Sequence, residues 1–182
     1  MSGTTFYQQI EALDKSLPAL ESWNPPLSGE MDCVIRRDGS WQIDGSALVN
    51  ERLLRLFSTV LKHEEDNYYL VTPVEKWRIE VEDLPFLVVE LDIDDAGSER
   101  QVIRARTNVG DRVTVNAEHP LSASPIRGLD DKQSIPCVTV RAGLLARFNR
   151  NTHLELAKLL QALPEADQYR VSSAGSSFTL CL

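Results

Sequence analysis

CVIRRDGSWQIDG, residues 33–45, and CVTVRAG, residues 137–143, are the stretches on which the fold reading turns. In the first, two short β-type runs flank Asp38-Gly39, and Asp-Gly between such runs is a strong short-range hairpin signal. Laid on each other from Cys33 and Cys137, the two stretches share Cys, Val, Arg and Gly at the same spacing. Working outward, each is followed by a β-type stretch, a short polar turn and a Leu-rich helix. A strand then begins at Tyr69-Leu70-Val71-Thr72 or at Tyr169-Arg170-Val171-Ser172, and Trp77-x-Ile79 or Phe178-x-Leu180 comes after it. The expectation is an α+β chain with internal duplication of a hairpin-helix-strand-strand unit and mostly antiparallel sheets. Its parts are an N-terminal helix and connecting loop over 1–30, a first α+β half over 31–85 and a strand-rich second half over 86–182.

Ahead of the first stretch, Phe6, Ile10, Leu13, Leu17 and Leu20 form a helical stripe over 4–20, weakened at its end by Ser16 and Pro18. SWNPPLSGEMD, residues 22–32, reads as a connecting loop. Asp44-Gly45 is expected to turn the chain into a helix carrying Leu53, Leu54, Phe57, Val60 and Leu61, with Ser46 or Asn50 as its N-cap. Tyr68–Val71 is a strand that Thr72-Pro73 breaks, Trp77, Ile79 and Val81 alternate as the next, and Glu82-Asp83-Leu84-Pro85 closes the half. FLVVELDI, QVIRARTN and DRVTVNA then read as an antiparallel meander with turns at DDAGSE and Val109-Gly110. Residues 119–136 form a long polar loop, a length that points to function or local mobility. After CVTVRAG and LLARFN, a helix starts near Thr152, whose Thr152-x-x-Glu155 reads as a capping box ahead of Leu156, Leu159, Leu160 and Leu163. YRVSS and SFTLCL are the closing strands.

At 182 residues, with 42% apolar and 25% charged side chains, the chain has the composition of a globular protein. A unit of this size buries roughly 70% of the surface its unfolded chain exposes, enough for a core without staples. The net charge of -8 repels polyanions, which argues against a nucleic acid polymer or an anionic membrane as partner. The N-terminus lacks a basic segment followed by an apolar one, and no apolar run approaches the ~20 residues that span a bilayer. A cytoplasmic protein is expected. Cys33, Cys137 and Cys181 form no C-x-x-C pair, and His63, His119 and His153 have no ligand spacing with them, so neither a disulfide framework nor a metal site is read.

No G-x-G-x-x-G, G-x-x-x-x-G-K-S/T or G-x-S-x-G occurs, which excludes the common nucleotide loops and the serine-hydrolase elbow. No catalytic centre or cofactor is expected. The runs Glu64-Glu65-Asp66, Glu80–Asp83 and Asp92–Asp95 flank apolar strands and read as solvated turns and rims. The arginines carry more. Arg104 and Arg106 alternate with Ile103 and Ala105, so they share one face of a strand. Arg141 takes the repeat position of Arg37, and Arg147 and Arg150 approach the second helix; guanidinium groups there suit a phosphate or carboxylate. Trp23, Trp41 and Trp77 are candidates for core anchors or for a stacking wall. His119, before Pro120, has no visible general-base partner and reads as a pocket-rim or turn residue.

Asp38-Gly39-x-Trp41, Thr72-Pro73-Val74-Glu75-Lys76, Thr107-Asn108, His119-Pro120-Leu121 and Arg141-x-Gly143-Leu144-x-Ala146 resemble the bacterial family catalogued as domain of unknown function 1285. The resemblance runs from about Trp23 to Leu163, and its most specific part is Thr72–Lys76. It implies duplicated α+β units, a C-terminal half loosely like pleckstrin-homology folds, and a nucleotide-like ligand in a signalling role at the seam of the halves. The chain departs from the family pattern at Gln42-Ile43, where an aromatic is expected, so no stacking role is carried over to that position.

The function expected from these readings is a non-enzymatic sensor or regulatory module that binds a small anionic, nucleotide-like ligand between its halves. Arg106, Arg141 and Arg147 would hold the anion. Thr72, Glu75, Lys76, Asn108 and His119 would supply polar contacts, and Trp41 or Trp77 an apolar wall. The alternative is a protein-interaction adaptor that offers Phe86 to Ile93 as an exposed edge strand to a protein partner.

Overall fold

Three two-residue turns with left-handed backbone set much of the architecture. Asp44-Gly45 (φ 49° and 73°), Ala142-Gly143 (41° and 75°) and Ala174-Gly175 (48° and 76°) each close a tight hairpin. Positive φ at both central residues gives these turns the twist that flanking strands require. The computed structural model describes residues 3–11, 20–128, 134–164 and 167–182. Two units result, Met1–Glu82 and Asp83–Leu182.

The first unit starts with helix α1, Gly3–Glu11, and a 3-10 turn at Leu20–Ser22; the expected helix positions Leu13, Ser16, Leu17 and Pro18 lie outside the described residues. Strands β1 (Leu27–Ile35), β2 (Trp41–Ile43) and β3 (Ser46–Ala47) form a meander. Helix α2 (Glu51–Thr59) leads to β4 (Leu61–Glu64), β5 (Asn67–Val71) and β6 (Lys76–Val81), a second meander. Three expectations change here, and the choice of cap is settled between its two candidates. The segment read as a connecting loop holds the first six residues of β1. Asp44-Gly45 leads into β3 rather than directly into the helix. Asn50, not Ser46, caps α2, its Oδ1 accepting from the Leu53 amide at 3.2 Å. Leu61 belongs to a strand that the acidic Glu64-Glu65-Asp66 turn had hidden.

The two meanders join through a parallel pairing of β1 with β6, giving the sheet order β3-β2-β1-β6-β5-β4. At the bulge in that pairing, Gly29 (φ 144°) lies under the Trp77 ring, whose Cζ3 would stand 3.2 Å from an added Cβ. Sheets bury one face against another layer. Here the buried set includes Ile35, Trp41, Leu61, Leu70, Ile79 and Val81, together with Phe57 and Val60 at α2 and Phe6 and Ile10 on α1. Phe6 and Phe57 meet at 6.2 Å between ring centroids, joining the helices.

The second unit opens with β7 (Phe86–Asp94), β8 (Val102–Thr107) and β9 (Arg112–Thr114), the expected antiparallel meander. Then come β10 (Leu121–Pro125), β11 (Ser134–Arg141) and β12 (Leu144–Phe148). Strand β10 occupies part of the stretch expected as a long polar loop, of which residues 129–133 lie outside the described residues. Strand β12 pairs in parallel with β7, giving β10-β11-β12-β7-β8-β9. The two six-stranded sheets therefore have the same connectivity, two meanders joined by their first and last strands. That correspondence sets β1–β6 against β7–β12; the register from Cys33 to Cys137 instead sets β1, β2, α2, β4, β5 and β6 against β11, β12, helix 150–157 and the strands 161–162, 168–173 and 176–181, whose order and antiparallel pairings recur, while the parallel pairing of β1 with β6 has no counterpart there.

Helix α3 (Arg150–Ala157) is capped by Asn149, whose Oδ1 accepts from the Thr152 amide at 2.9 Å. Thr152 therefore lies within the first turn instead of capping it, and its hydroxyl donates to the Val88 carbonyl at 3.0 Å. Strands β13 (Gln161–Ala162), β14 (Gln168–Ser173) and β15 (Ser176–Cys181) make a separate antiparallel sheet. The stretch Phe86–Val88, offered as part of an exposed edge, is interior: it pairs with β12 on one side, Val88 pairs with Thr107 of β8 on the other, and Val88 is fully buried. No helix of the described residues is long and apolar enough to cross a membrane.

One buried ion pair ties this unit together. Arg147 on β12 grips Asp83 through Nε at 2.9 Å and Nη2 at 2.7 Å. Its Nη1 donates to the carbonyls of Ser124 and Ile135, and Nη2 also to that of Pro125. Side-chain exposure is 7% for Arg147 and 5% for Asp83. Asp83, expected at a solvated rim, is thus a core residue.

Two outcomes follow from burial. Arg147→Met strands a buried carboxylate and is expected to lower unfolding free energy by about 3–5 kcal/mol in urea denaturation; a loss under about 1 kcal/mol, an exposed pair's worth, would show that the clamp does not hold the unit. Burial, with the negative charges of Asp32 and Asp44, pushes the Cys33 thiol up to about 12. Cys137 is buried as well, whereas Cys181 is exposed. Native protein at pH 8 should therefore release one thiolate-equivalent quickly with an aromatic disulfide reagent and the other two only on denaturation.

Candidate functional site

The expected site residues of the first unit are occupied in building it. Trp41 is 1% exposed and belongs to the core, so it offers no wall to a ligand. Thr72 is fully buried; its hydroxyl donates to Gln9 Oε1 at 3.0 Å and accepts from the Glu75 amide at 3.1 Å, closing the β5–β6 turn and fastening α1 to it. Glu75 accepts from Trp77 Nε1 at 3.3 Å. Lys76 pairs with Glu64 and lies 4.3 Å from the Tyr69 ring centroid, while Lys62 holds the same carboxylate at 2.9 Å. The two lysines hold the Glu64 carboxyl below its usual range, Lys76 most strongly. The polar groups of Thr72, Glu75 and Lys76 are thus matched, partly within the turn and partly by Gln9, Ser28, Glu64 and Trp77.

In the second unit the three arginines expected to meet are held by three different carboxylates. Arg147 spends every nitrogen on Asp83 and backbone or Ser124 acceptors. It is a fold residue, with no donor left for an anion. Arg141 pairs with Asp111 and lies 5.0 Å from the Phe86 ring centroid. Asn108 and Leu87 exchange hydrogen bonds of 2.8 and 2.9 Å, one through the Asn108 backbone amide and one to its Oδ1. His119 sits 3.1 Å from the Thr139 carbonyl through Nδ1.

Arg106 is different. It lies in a groove of about 280 Å³ lined by Glu90, Asp92, Arg104, Arg106 and Arg112, with Leu91, Ala105, Val113 and Thr114 completing it. The alternation of β7–β9 builds this face: Ile103, Ala105, Thr107 and Val113 turn inward, and the charged residues between them turn outward. Register sets Glu90 opposite Arg106 and Arg106 opposite Arg112; one step along, Asp92 opposes Arg104 and Arg104 opposes Thr114. Arg106 pairs with Glu90. Arg104 reaches Asp94 at 2.7 Å and Asp92 at 3.4 Å. Arg112 is exposed and makes no ion pair among the described residues. The Arg106 hydrogen bond and charge hold the Glu90 carboxyl below its usual range, and the Arg112 charge adds to this. Arg112 escaped the sequence reading: counting outward from a Val109-Gly110 turn sets it against Thr107, and its place opposite Arg106 comes from the three-residue loop 108–110.

Such a groove can bind an oxyanion through planar, permanently charged donors. A second cavity of about 320 Å³ lies between the β7–β8 turn and the C-terminal sheet, lined by Ser98, Gln101, Ser172, Ser176 and Ser177 among others, with Glu99 as its one charge. Buried Gln101 braces it, donating to the Ser172 carbonyl at 2.6 Å and accepting from the Gly97 amide at 2.7 Å. Among the described residues no group of three or more His, Cys, Asp or Glu side chains could hold a metal ion.

Comparison with known proteins gives a family and no activity. The model for the N-terminal domain of the domain of unknown function DUF1285 matches residues 18–84, and that for the C-terminal domain of the DUF1285 protein of unknown function matches 85–180. A crystal structure of a DUF1285 family protein from Silicibacter pomeroyi DSS-3 is similar over 95% of this chain and 91% of its own, with 34% identity and a TM-score of 0.82. A DUF1285 family protein from Shewanella baltica OS155 matches over 70% of this chain and 91% of its own, with 24% identity and a TM-score of 0.53, a likeness of fold alone. No curated protein matches significantly. With both domain models matched in succession and a relative at this identity along nearly its whole length, the chain belongs to the DUF1285 family.

Proposed function

We propose that this protein is a non-enzymatic binding module for a small anionic ligand, held in the arginine groove of the second unit. The observation that carries the reading is the rung of Arg106 and Arg112, like charges directly opposite each other on β8 and β9, with a single carboxylate, Glu90, on the far side of Arg106. Like charges so placed are destabilising, and an oxyanion shared between them relieves the repulsion. The excess is local, because the whole chain carries a net charge of -8. The groove lining includes no His, Cys or Ser, its guanidinium groups keep their protons, and its carboxylates Glu90 and Asp92 each face an arginine, which favours occupancy over proton transfer as its output. That output suits a sensor or regulatory role. The shared connectivity of the two six-stranded sheets supports an internal duplication, with the charged rungs developed on β7–β9 of the second copy.

The test is thermal and calorimetric titration with sodium phosphate, pyrophosphate and adenosine monophosphate at constant ionic strength. Saturable stabilisation of about 2.7 kcal/mol at a hundred times the dissociation constant is expected. Arg112→Ala, at an exposed position, should abolish it while leaving the unfolding transition of the ligand-free protein in place. Absence of any saturable shift, or a shift that Arg112→Ala leaves intact, would overturn the reading.

A further inference from the structure

The groove has two chemically different ends. At the rung Glu90–Arg106–Arg112, two guanidiniums meet one carboxylate. At the next rung a single guanidinium, Arg104, is shared by two carboxylates, Asp92 and Asp94, and the position opposite on β9 is the neutral Thr114. One end therefore has an excess positive charge and the other an excess negative charge. Alternate residues on one face of a strand stand about 7 Å apart, and the volume of about 280 Å³ suits a compact ligand that reaches both rungs.

Within the negative end the two carboxylates are not equivalent. Asp94 takes the short contact with Arg104, at 2.7 Å, while Asp92 keeps one of 3.4 Å with its side chain 72% exposed. Asp92 also lines the groove. Its oxygens are the acceptors with capacity to spare. The lining includes no aromatic ring, so a nucleobase finds nothing to stack on.

We infer that the groove selects a zwitterion: a phosphate or carboxylate group seated between Arg106 and Arg112, and a primary ammonium group reaching Asp92 about one two-residue step away. The inference rests on the anion reading and adds a second recognition element to it. A nucleoside phosphate then gains nothing from its base, whereas an amino group on a short aliphatic chain gains a charge partner.

The matched probes are 3-aminopropyl phosphate and n-propyl phosphate, titrated calorimetrically at low, constant ionic strength into the full chain and into Asp92→Asn and Arg112→Ala. The aminated probe should bind about three- to fivefold more tightly, the worth of an exposed ion pair. Asp92→Asn should erase that preference and leave n-propyl phosphate binding as well as before or better. Arg112→Ala should weaken both. Equal affinities in the unaltered protein, or a preference that survives Asp92→Asn, would overturn the zwitterion and leave the anion reading standing. Failure of both phosphates to bind would remove the anion reading and this inference together.

Discussion

Asp83 and Arg147 are 64 residues apart in sequence, and the second unit closes around their meeting. A guanidinium taken out of water loses solvation worth several kcal/mol, and since it keeps its charge it is tolerated in the core only when its donors are answered. Here they are answered by three parts of the chain, the carboxylate that opens the unit, Ser124 and Pro125 of β10, and Ile135 of β11, while β12 carries the arginine itself. Asp83 completes the arrangement by accepting from the Arg127 amide at 3.2 Å. The requirement works in both directions, because the strands cannot separate without stranding the charge, and the charge cannot be buried without the strands.

Much of the local structure was legible in the sequence. The Asp38-Gly39 hairpin, the β7–β8–β9 meander, the alternation of β6 and Asn50 as a cap all follow from short-range chemistry acting over a few residues. What escaped was non-local. The parallel pairings of β1 with β6 and β7 with β12 leave no mark on either partner, since nothing in a strand names its neighbour across dozens of residues. The residue matches between Cys33 and Cys137 recover an order of elements that recurs, a hairpin, a helix and three strands, yet not the parallel pairing of β1 with β6, which β11 and β15 do not repeat. Thr152 misled for a related reason: its hydroxyl satisfied the capping pattern, but Asn149, three residues earlier, already supplied the cap, freeing Thr152 to reach Val88.

The candidate site shows the same division. Strand alternation put Arg104 and Arg106 on one face from sequence alone, and the structure keeps them there. Arg147 could not be told from them, because an arginine bound for the core and one bound for a groove differ only in which distant carboxylate they find. Trp41 and Thr72 were taken for contacts of a ligand for want of the partners that bury them. Family membership agrees with this limit, since it establishes a shared architecture and leaves the chemistry to the groove.

The joining of first and last strands has a consequence for how the chain is made. In each six-stranded sheet the segment translated first and the segment translated last lie side by side at the centre, while the strands made in between occupy the rims. A nascent sheet of this kind can form its first meander early, but its middle stays open until the final strand has left the ribosome. The long loop-closure step makes such topologies slow to complete, and a chain released a few residues short of β6 or β12 lacks a keystone rather than an edge.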